Sequence, residues 1–292
     1  MQVLQTDNSI VLTGVASFHP AHIFDCGQAF RWNPDGKGYT GIIGDKVIRV
    51  VCENDSVILE GASYEDYESL WRHYLDLDRD YETIKQEFSK DPVLAEAVSY
   101  GWGMRILNQD PWETLISFII SANNNITRIK GIVERLSASL GRAVPFEDKV
   151  YYTFPDPSAL AGADDNTLKR CGCGYRGPYI RETARMVADG KLSLADLKQL
   201  PYAEARKHLL SCKGVGEKVA DCILLFSMNH TEAFPVDVWI KRIMEQLYTH
   251  KPLSVKEIRA YAGARFGKYA GLAQQYLFYY ARDMRIGRQE EE

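Results

Sequence analysis

The chain has 292 residues, of which 46% are hydrophobic, 25% charged and 11% aromatic, a composition typical of globular proteins rather than of disordered or fibrous ones. Its length predicts about two domains, and its formal net charge of −4 argues against a protein that binds nucleic acid over its whole surface. No apolar run approaches the roughly 18 residues of a membrane-spanning helix, so no contact with a membrane is expected.

The first sixty residues have the composition of β-strands. Short segments rich in β-branched and aromatic residues alternate with turn sequences such as Asn33-Pro34-Asp35-Gly36. One helical turn is expected at 19–25. The pattern predicts an antiparallel meander with strands at 28–32, 39–43, 46–52 and 56–59.

From about residue 64, apolar residues recur at the three- and four-residue spacing of amphipathic helices. Helices are predicted at 64–74, 81–88, 112–121, 126–140, 178–190, 202–211, 217–228, 238–247, 255–266 and 272–283, with a loop at 154–162. The fold class is therefore α+β. We expect an N-terminal antiparallel β-sheet domain with flanking helices at 1–100, packed on a mostly helical region at 101–292, the two sharing one cleft.

The charge is unevenly distributed. Residues 51–100 contain 13 acidic and 4 basic side chains, whereas residues 101–289 contain 27 basic and 19 acidic ones. A basic face is therefore compatible with the acidic net charge, and the acidic block is expected to lie away from a bound polyanion. Glu290 to Glu292 are expected to form a solvated acidic tail.

Neither a signal peptide nor a nuclear-import cluster is recognisable. We therefore expect a cytoplasmic protein, associated with the nucleoid if the source is bacterial. The six cysteines are expected to be reduced, each a small buried apolar residue. Because no cysteine follows Cys222, a C-terminal four-cysteine iron–sulfur loop is excluded.

The most informative stretch joins two predicted helices through a tight Lys213-Gly214-Val215-Gly216 turn. Glycines at two of its positions allow the backbone to turn and a phosphate to approach the amides. The next helix begins at Glu217, so its N-terminal amides point to the same place. Such a turn can bind nucleic-acid phosphates without reading sequence, although glycine turns between helices are also common for structural reasons.

Two ionisable residues follow the turn. Lys218 lies in the first turn of a helix, where the positive end of the macrodipole disfavours a cation and makes a nucleophilic amine more available. Asp237 follows Pro235 at the N-cap position of another helix, where amides are expected to keep a carboxylate ionised toward developing positive charge. An exposed lysine and a simple cap are the structural alternatives, and the combination within twenty-four residues favours a catalytic site.

Residues 214–222, followed by Pro235-Val236-Asp237-Val238, resemble the helix–hairpin–helix, Gly/Pro/Asp-loop superfamily of DNA glycosylases. Within it, the similarity is greatest to the 8-oxoguanine DNA glycosylase/lyase family. Further matches, in order and at the family spacing, occur at 26–32, 108–111, 121–126, 174–176, 273–274 and 277–278.

The resemblance implies a bifunctional glycosylase and abasic-site lyase. Such an enzyme flips 8-oxoguanine out of double-stranded DNA, preferentially opposite cytosine, and excises it through a lysine Schiff base and then β-elimination. Lys218 is the implied nucleophile, and Asp237 stabilises the cationic sugar and assists proton transfer.

The resemblance also implies a set of binding residues. Phe278 and Cys222 stack on the flipped purine beside Pro235, Gln274 bonds its Watson–Crick edge, and the Gly27 carbonyl accepts from N7–H.

The resemblance implies a further set of residues that contact the DNA duplex. These are Asn123 in the position that the base has left, Tyr175 as a wedge, Arg128 and Arg176 on the orphaned cytosine, and Gly214 and Gly216 in the hairpin. No cofactor is required, although the carbonyls of Leu210, Cys212 and Val215 are expected to coordinate a monovalent cation. The enzyme is expected to be a monomer.

Two positions depart from the family pattern. Trp239 stands where animal members have a histidine that touches DNA, and Gly177-Pro178 after Arg176 stiffens the start of the next helix. Three alternatives stay open: a monofunctional alkylpurine glycosylase, which Lys218 opposes; an adenine or thymine-glycol glycosylase, which the missing iron–sulfur loop opposes; and a non-catalytic DNA-binding module.

Overall fold

The N-terminal part of the computed structural model is a six-stranded antiparallel sheet in the order β1-β2-β6-β5-β4-β3. The predicted meander is confirmed, with one correction at 28–32: β3 begins only at Trp32 because the preceding residues form a turn. The sheet also gains β1 and β2, which the sequence pattern did not predict. The strands are β1 Gln2–Gln5, β2 Ser9–Thr13, β3 Trp32–Pro34, β4 Tyr39–Ile43, β5 Lys46–Glu53 and β6 Ser56–Glu60, and a separate hairpin is formed by β7 Ala143–Phe146 and β8 Lys149–Tyr152.

Helices make up most of the remaining chain. They are α1 Pro20–Phe24, α2 Tyr64–Asp66, α3 Arg72–Tyr74, α4 Tyr81–Phe88, α5 Pro92–Tyr100, α6 Pro111–Ser121, α7 Ile126–Leu140, α8 Pro157–Gly162, α9 Asp165–Arg170, α10 Gly177–Ala188, α11 Leu194–Leu197, α12 Tyr202–Leu210, α13 Glu217–Ser227, α14 Val238–Ile243, α15 Val255–Phe266 and α16 Ala270–Asp283. A π-helical segment, Tyr67–Trp71, joins α2 to α3. The loop prediction at 154–162 is wrong, because Asp156 caps α8 by accepting a hydrogen bond from the Ala159 amide at 2.8 Å.

The structure describes residues 1–286, so the expected acidic tail at 290–292 lies outside the described residues. Within that part of the chain, none of the helices combines the length and apolarity needed to cross a membrane. All six cysteines are free thiols. Five are buried as predicted, but Cys52 is exposed near the solvent-facing turn that ends β5.

Two hydrophobic cores lie side by side. The sheet core is built around Trp32, whose ring stacks on Phe24 at 4.0 Å and whose indole N–H donates to the Tyr74 hydroxyl at 2.8 Å. The helical core contains the apolar faces of α6, α13 and α16, and also those of α4 and α5. The division of the chain into domains at residue 100 stays a prediction.

A buried glutamine joins the two layers. The Gln28 side chain donates to the carbonyls of Ile23 at 2.9 Å and Arg105 at 2.8 Å, and it accepts from the Leu107 amide at 2.9 Å. Gln109 in turn donates to the Gln28 carbonyl at 2.8 Å. The turn that contains Gly27 is therefore fixed between the sheet and the start of α6.

We predict that Gly41→Ala destabilises the protein by about 1–3 kcal/mol, because overpacking forces neighbouring side chains to move. A Cβ at this position on β4 would lie 2.3 Å from Cδ2 of Trp32. Urea unfolding measures the change in free energy. Gly263→Ala on α15, where the Cβ meets open space, is the control and should stabilise by up to about 1 kcal/mol through helix propensity. Equal stabilities of the two variants would contradict the packing argument.

Candidate active site

The helix–turn–helix formed by α12 and α13 carries the candidate nucleophile. Gly214 has φ +82°, and a Cβ there would lie 2.9 Å from Cδ2 of Tyr179, so both conformation and space favour glycine. Gly216 is the N-cap of α13, and no side chain caps the helix there. The first amides of α13 are therefore available to an anion, and Lys218 is the second residue of that helix.

A buried carboxylate fixes the orientation of α13. Asp221 is fully buried and accepts from the Tyr202 hydroxyl at 2.9 Å, from Arg206 Nε at 2.8 Å and from Arg259 Nε at 2.8 Å. Burial raises the pKa of Asp221, and the two guanidinium groups oppose that rise. Because these partners lie on α12 and α15, they limit rotation of α13 and hold its first turn in one direction.

One pocket brings together all seven residues predicted to act on the sugar or the base. Its walls are formed by Gly27, Phe118, Lys218, Cys222, Phe226, Pro235, Asp237, Gln274, Gln275 and Phe278. The sequence pattern does not predict Phe118, Phe226 and Gln275 as pocket residues. The first two lie on helices whose apolar residues indicated only core packing, and no local signal distinguishes a core phenylalanine from one that also lines a pocket.

Asp237 is the N-cap of α14, as its position in the sequence predicts. Its Oδ1 accepts from the amides of Trp239 at 3.0 Å and Ile240 at 2.9 Å. Contrary to the expected net effect of the amides, the pKa of Asp237 is raised, because burial outweighs the hydrogen bonds from α14 and the charge of Lys218. The carboxylate therefore sits in an environment that favours taking up a proton or a nearby positive charge.

The lysine and the thiol of the pocket lie on one face of α13. The Lys218 Nζ is 5.1 Å from the centre of the Phe118 ring, a contact that supports the side chain at the pocket wall. Burial raises the pKa of Cys222 to about 11, although Lys218 opposes this rise. Cys222 is therefore a neutral thiol at physiological pH and contributes packing surface rather than a nucleophile.

The opposite side of the pocket has the features of a site for a flat polar ring. Gln274 is 4% exposed, and its Oε1 is a buried acceptor without a partner among residues 1–286. Gly27 has φ +84°, and a Cβ there would lie 3.2 Å from Cε1 of Phe278, so a side chain would fill the space beside that ring. A buried acceptor without a partner is costly, which indicates that a ligand donor completes the site.

A second cluster contains the predicted DNA contacts around α7 and α10. Asn123 is exposed with φ +50°, a conformation that asparagine tolerates, and Tyr175 is 57% exposed. Arg176, by contrast, is 3% exposed and donates to the carbonyls of Ala122 at 3.1 Å and Asn123 at 3.2 Å. Arg176 is therefore not a surface charge, and its buried guanidinium supports the Asn123 loop.

The remaining predicted residues have separate environments. Arg128 is exposed in the first turn of α7. Trp239 is half-buried against the helical core, and the Arg242 guanidinium lies 5.3 Å from the centre of its ring. Pro178 occupies the second position of α10, which directly follows the Gly174–Arg176 turn.

The residues of 1–286 contain no group of three or more His, Cys, Asp and Glu side chains arranged to hold a metal ion. In the hairpin, the Cys212 carbonyl accepts from the Val215 amide at 3.1 Å. That bond uses one of the two acceptor positions of this carbonyl and leaves the other for a further ligand.

An amine, a carboxylate and an unpartnered amide acceptor thus line one pocket beside a hairpin whose helix amides are available to an anion. This arrangement defines a helix–hairpin–helix protein that acts on a base in nucleic acid, and residues 116–266 match the HhH-GPD superfamily of base-excision DNA repair proteins. Residues 10–115 match the 8-oxoguanine DNA glycosylase N-terminal domain. The chain belongs to the 8-oxoguanine DNA glycosylase family of this superfamily, as its sequence resemblance implies.

Individual relatives agree with this assignment. The chain is 38% identical over 215 residues to a probable N-glycosylase/DNA lyase of Methanothermobacter thermautotrophicus, covering 67% of this chain and 69% of that one. It is 32% identical to the N-glycosylase/DNA lyase of Saccharomyces cerevisiae, covering 88% and 82%. It is also similar to the crystal structure of Clostridium acetobutylicum 8-oxoguanine glycosylase/lyase in complex with double-stranded DNA containing cytosine opposite 8-oxoguanine, with 41% identity, a TM-score of 0.96 and coverage of 98% and 99%.

We predict that the Asp237→Asn variant is at least as stable as the wild type at about pH 7. We expect it to excise 8-oxoguanine from DNA at least about 100-fold more slowly than the wild type. The pKa of Asp237 is raised in the folded state. The native protein therefore binds this proton more tightly than the unfolded chain, and the wild type loses stability relative to the variant as pH rises through that pKa. Asparagine keeps the cap.

Thermal unfolding between about pH 4 and pH 7, with single-turnover excision on the same samples, measures both effects. A variant that is clearly less stable than the wild type at the higher pH would contradict the conclusion that the ionised Asp237 carboxylate destabilises the folded protein.

Proposed function

We propose that the protein is a bifunctional DNA glycosylase and abasic-site lyase that removes 8-oxoguanine from double-stranded DNA during base-excision repair. The observation that carries the proposal is that Lys218, Asp237, Gln274 and Phe278 line the same pocket. A DNA-binding module without catalysis needs neither the amine of Lys218 nor the half-buried carboxylate of Asp237. A monofunctional glycosylase does not need the amine.

The proposed reaction has three steps. The Lys218 amine attacks C1′ of the flipped nucleotide while the bond from C1′ to N9 breaks, and the purine leaves with the bonding electrons and takes up a proton. Once Nζ has released the proton that the purine takes up, its lone pair forms the C1′=N double bond while the C1′–O4′ bond breaks and O4′ takes a proton from Asp237, which leaves the opened sugar as a protonated Schiff base. Loss of a proton from C2′ finally expels the 3′ phosphate by β-elimination. Asp237 stabilises the positive charge that develops on the sugar and exchanges protons with it.

Recognition of the base uses the other residues of the pocket. Phe278 and Cys222 flank the purine beside Pro235, and the Gln274 amide bonds its Watson–Crick edge. The Gly27 carbonyl accepts from N7–H, which 8-oxoguanine has and guanine lacks.

In the duplex, Asn123 fills the position that the flipped base has left, and Tyr175 is inserted as a wedge at the neighbouring base step. Gly214 and Gly216 bring amides close to a phosphate.

Arg128 and Arg176 are the proposed donors to the orphaned cytosine. Arg128 is exposed and free to approach it, whereas Arg176 must first release the carbonyls of Ala122 and Asn123.

The carbonyls of Leu210, Cys212 and Val215 are the proposed ligands of a monovalent cation, which would draw the hairpin carbonyls together. We further propose that the enzyme works as a monomer in the cytoplasm, on the nucleoid if the source is bacterial.

The Schiff base can be captured chemically. With a duplex carrying one 8-oxoguanine opposite cytosine, borohydride is expected to reduce the imine to a stable protein–DNA adduct. Lys218→Gln should abolish the adduct, since glutamine cannot form an imine. Lys213→Gln, which alters a hairpin lysine paired with Glu182 at 2.9 Å, should retain it. Base release without an adduct in the wild type would instead favour monofunctional chemistry.

The choice of the opposite base depends on Arg128. Arg128→Gln is expected to slow excision opposite cytosine about tenfold, the effect of losing a charged hydrogen bond. Excision opposite adenine should change by less than about twofold, because adenine offers different groups at those positions. Single-turnover rates on the two duplexes measure the preference, with Arg170→Gln on α9 as a control. Equal slowing on both duplexes would assign Arg128 to general DNA binding.

A further inference from the structure

We infer that Arg282, one helical turn after Phe278 on α16, is a positioning residue for recognition of the damaged base. This inference rests on the proposed function. The guanidinium joins the turn that carries Gly27 to the ring of Phe278, so that the two proposed contacts of the base keep a fixed spacing.

The turn is held through the carbonyls on both sides of Gly27. Arg282 Nη1 donates to the Asp25 carbonyl at 3.0 Å, and Gln275 Nε2 donates to the Cys26 carbonyl at 2.7 Å. On the other side, Gln109 donates to the Gln28 carbonyl at 2.8 Å. Two of these three donors come from α16, the same helix that carries the ring and amide of the pocket.

The guanidinium of Arg282 also lies beside two aromatic rings of α16, those of Phe278 and Tyr279. Its Cζ is 5.6 Å from the centre of the Phe278 ring and 5.3 Å from that of Tyr279, within the range of a cation–π contact. A Cβ on Gly27 would lie 3.2 Å from Phe278 Cε1 and 3.7 Å from Arg282 Nη1. Arg282 therefore lies where the turn and the ring meet.

Charged neighbours hold Arg282 and its turn in place. Arg282 Nε donates to Asp283 Oδ1 at 2.8 Å. The Asp25 carboxylate accepts from the Tyr39 hydroxyl and lies 3.7 Å from Lys130 Nζ. The Arg282 side chain is 21% exposed, so its bonds are partly shielded from water. The hydrogen bond to Asp25 is thus one part of a supported network rather than an isolated surface contact.

A base is needed for excision but not for the lyase step at an abasic site. Loss of Arg282 should therefore slow removal of 8-oxoguanine while leaving strand cleavage at a preformed abasic site nearly unchanged. A general defect in folding or DNA binding would lower both rates, so their ratio separates a positioning role from a merely structural one.

The test compares single-turnover excision from 8-oxoguanine opposite cytosine with cleavage of an abasic duplex. Arg282→Met should reduce excision about tenfold, the combined effect of losing the hydrogen bond to the Asp25 carbonyl and the cation–π contact with the Phe278 ring. Abasic-site cleavage should stay within about twofold of the wild type. Arg282→Lys, which keeps a cation and a donor, should recover most of the excision rate. Arg285→Met, which alters an exposed arginine three residues further on, is the matched control.

Unchanged excision in Arg282→Met, or an equal fall in both activities, would overturn the inference. So would a lysine variant as slow as the methionine variant. Each of these results requires an active wild type, whereas absence of excision by the wild type itself would count against the proposed function instead.

Discussion

The active-site pocket depends on the buried hydrogen bonds of Gln28, which join the sheet to the helical body. Gln28 is fully buried, and its amide bonds to the backbone of Ile23, Arg105 and Leu107. Buried amides are costly unless their hydrogen bonds are made, so these partners restrict the two layers to one arrangement. The turn at Gly27 belongs to the sheet side, whereas the other walls of the pocket belong to the helices. Together with the bonds from Gln275 and Arg282 of α16, these contacts fix the wall at Gly27 relative to the rest of the pocket.

Two aspartates near the nucleophile show how the protein distributes stability and function. Burial raises the pKa of Asp221, but its ion pairs with Arg206 and Arg259 oppose that rise and orient α13. At Asp237, burial also raises the pKa, and the rise is opposed by the amides of α14 and by the charge of Lys218. The first carboxylate stabilises the support of the site. In the proposed reaction, the second responds to the positive charge that develops on the sugar, at a cost in stability that is common at catalytic positions.

Much of the fold and pocket follows from local sequence. The helical periodicity, the turns and the Gly-Val-Gly hairpin are short-range signals, so most helices, the meander and the positions of Lys218 and Asp237 could be predicted. Position 28 has strand-like neighbours, but its side chain bonds to residues about 80 positions away, and tertiary bonding overrides propensity there. The buried state of Arg176 likewise depends on carbonyls of the Asn123 loop. Hydrogen bonds between residues so far apart along the chain produce no periodic pattern in the sequence.

In the proposed recognition of the base, discrimination between 8-oxoguanine and guanine requires more than the hydrogen bond from N7–H to the Gly27 carbonyl. One such bond contributes about 1 kcal/mol net, whereas a buried acceptor left unpaired costs about 1–3 kcal/mol. The larger penalty applies only if the acceptor cannot turn away or reach another donor when guanine enters. The carbonyls of Asp25, Cys26 and Gln28 are held by side chains on both sides of Gly27. Because these bonds oppose relaxation of the turn, rigidity of the backbone converts a small difference in bonding into a larger difference in binding.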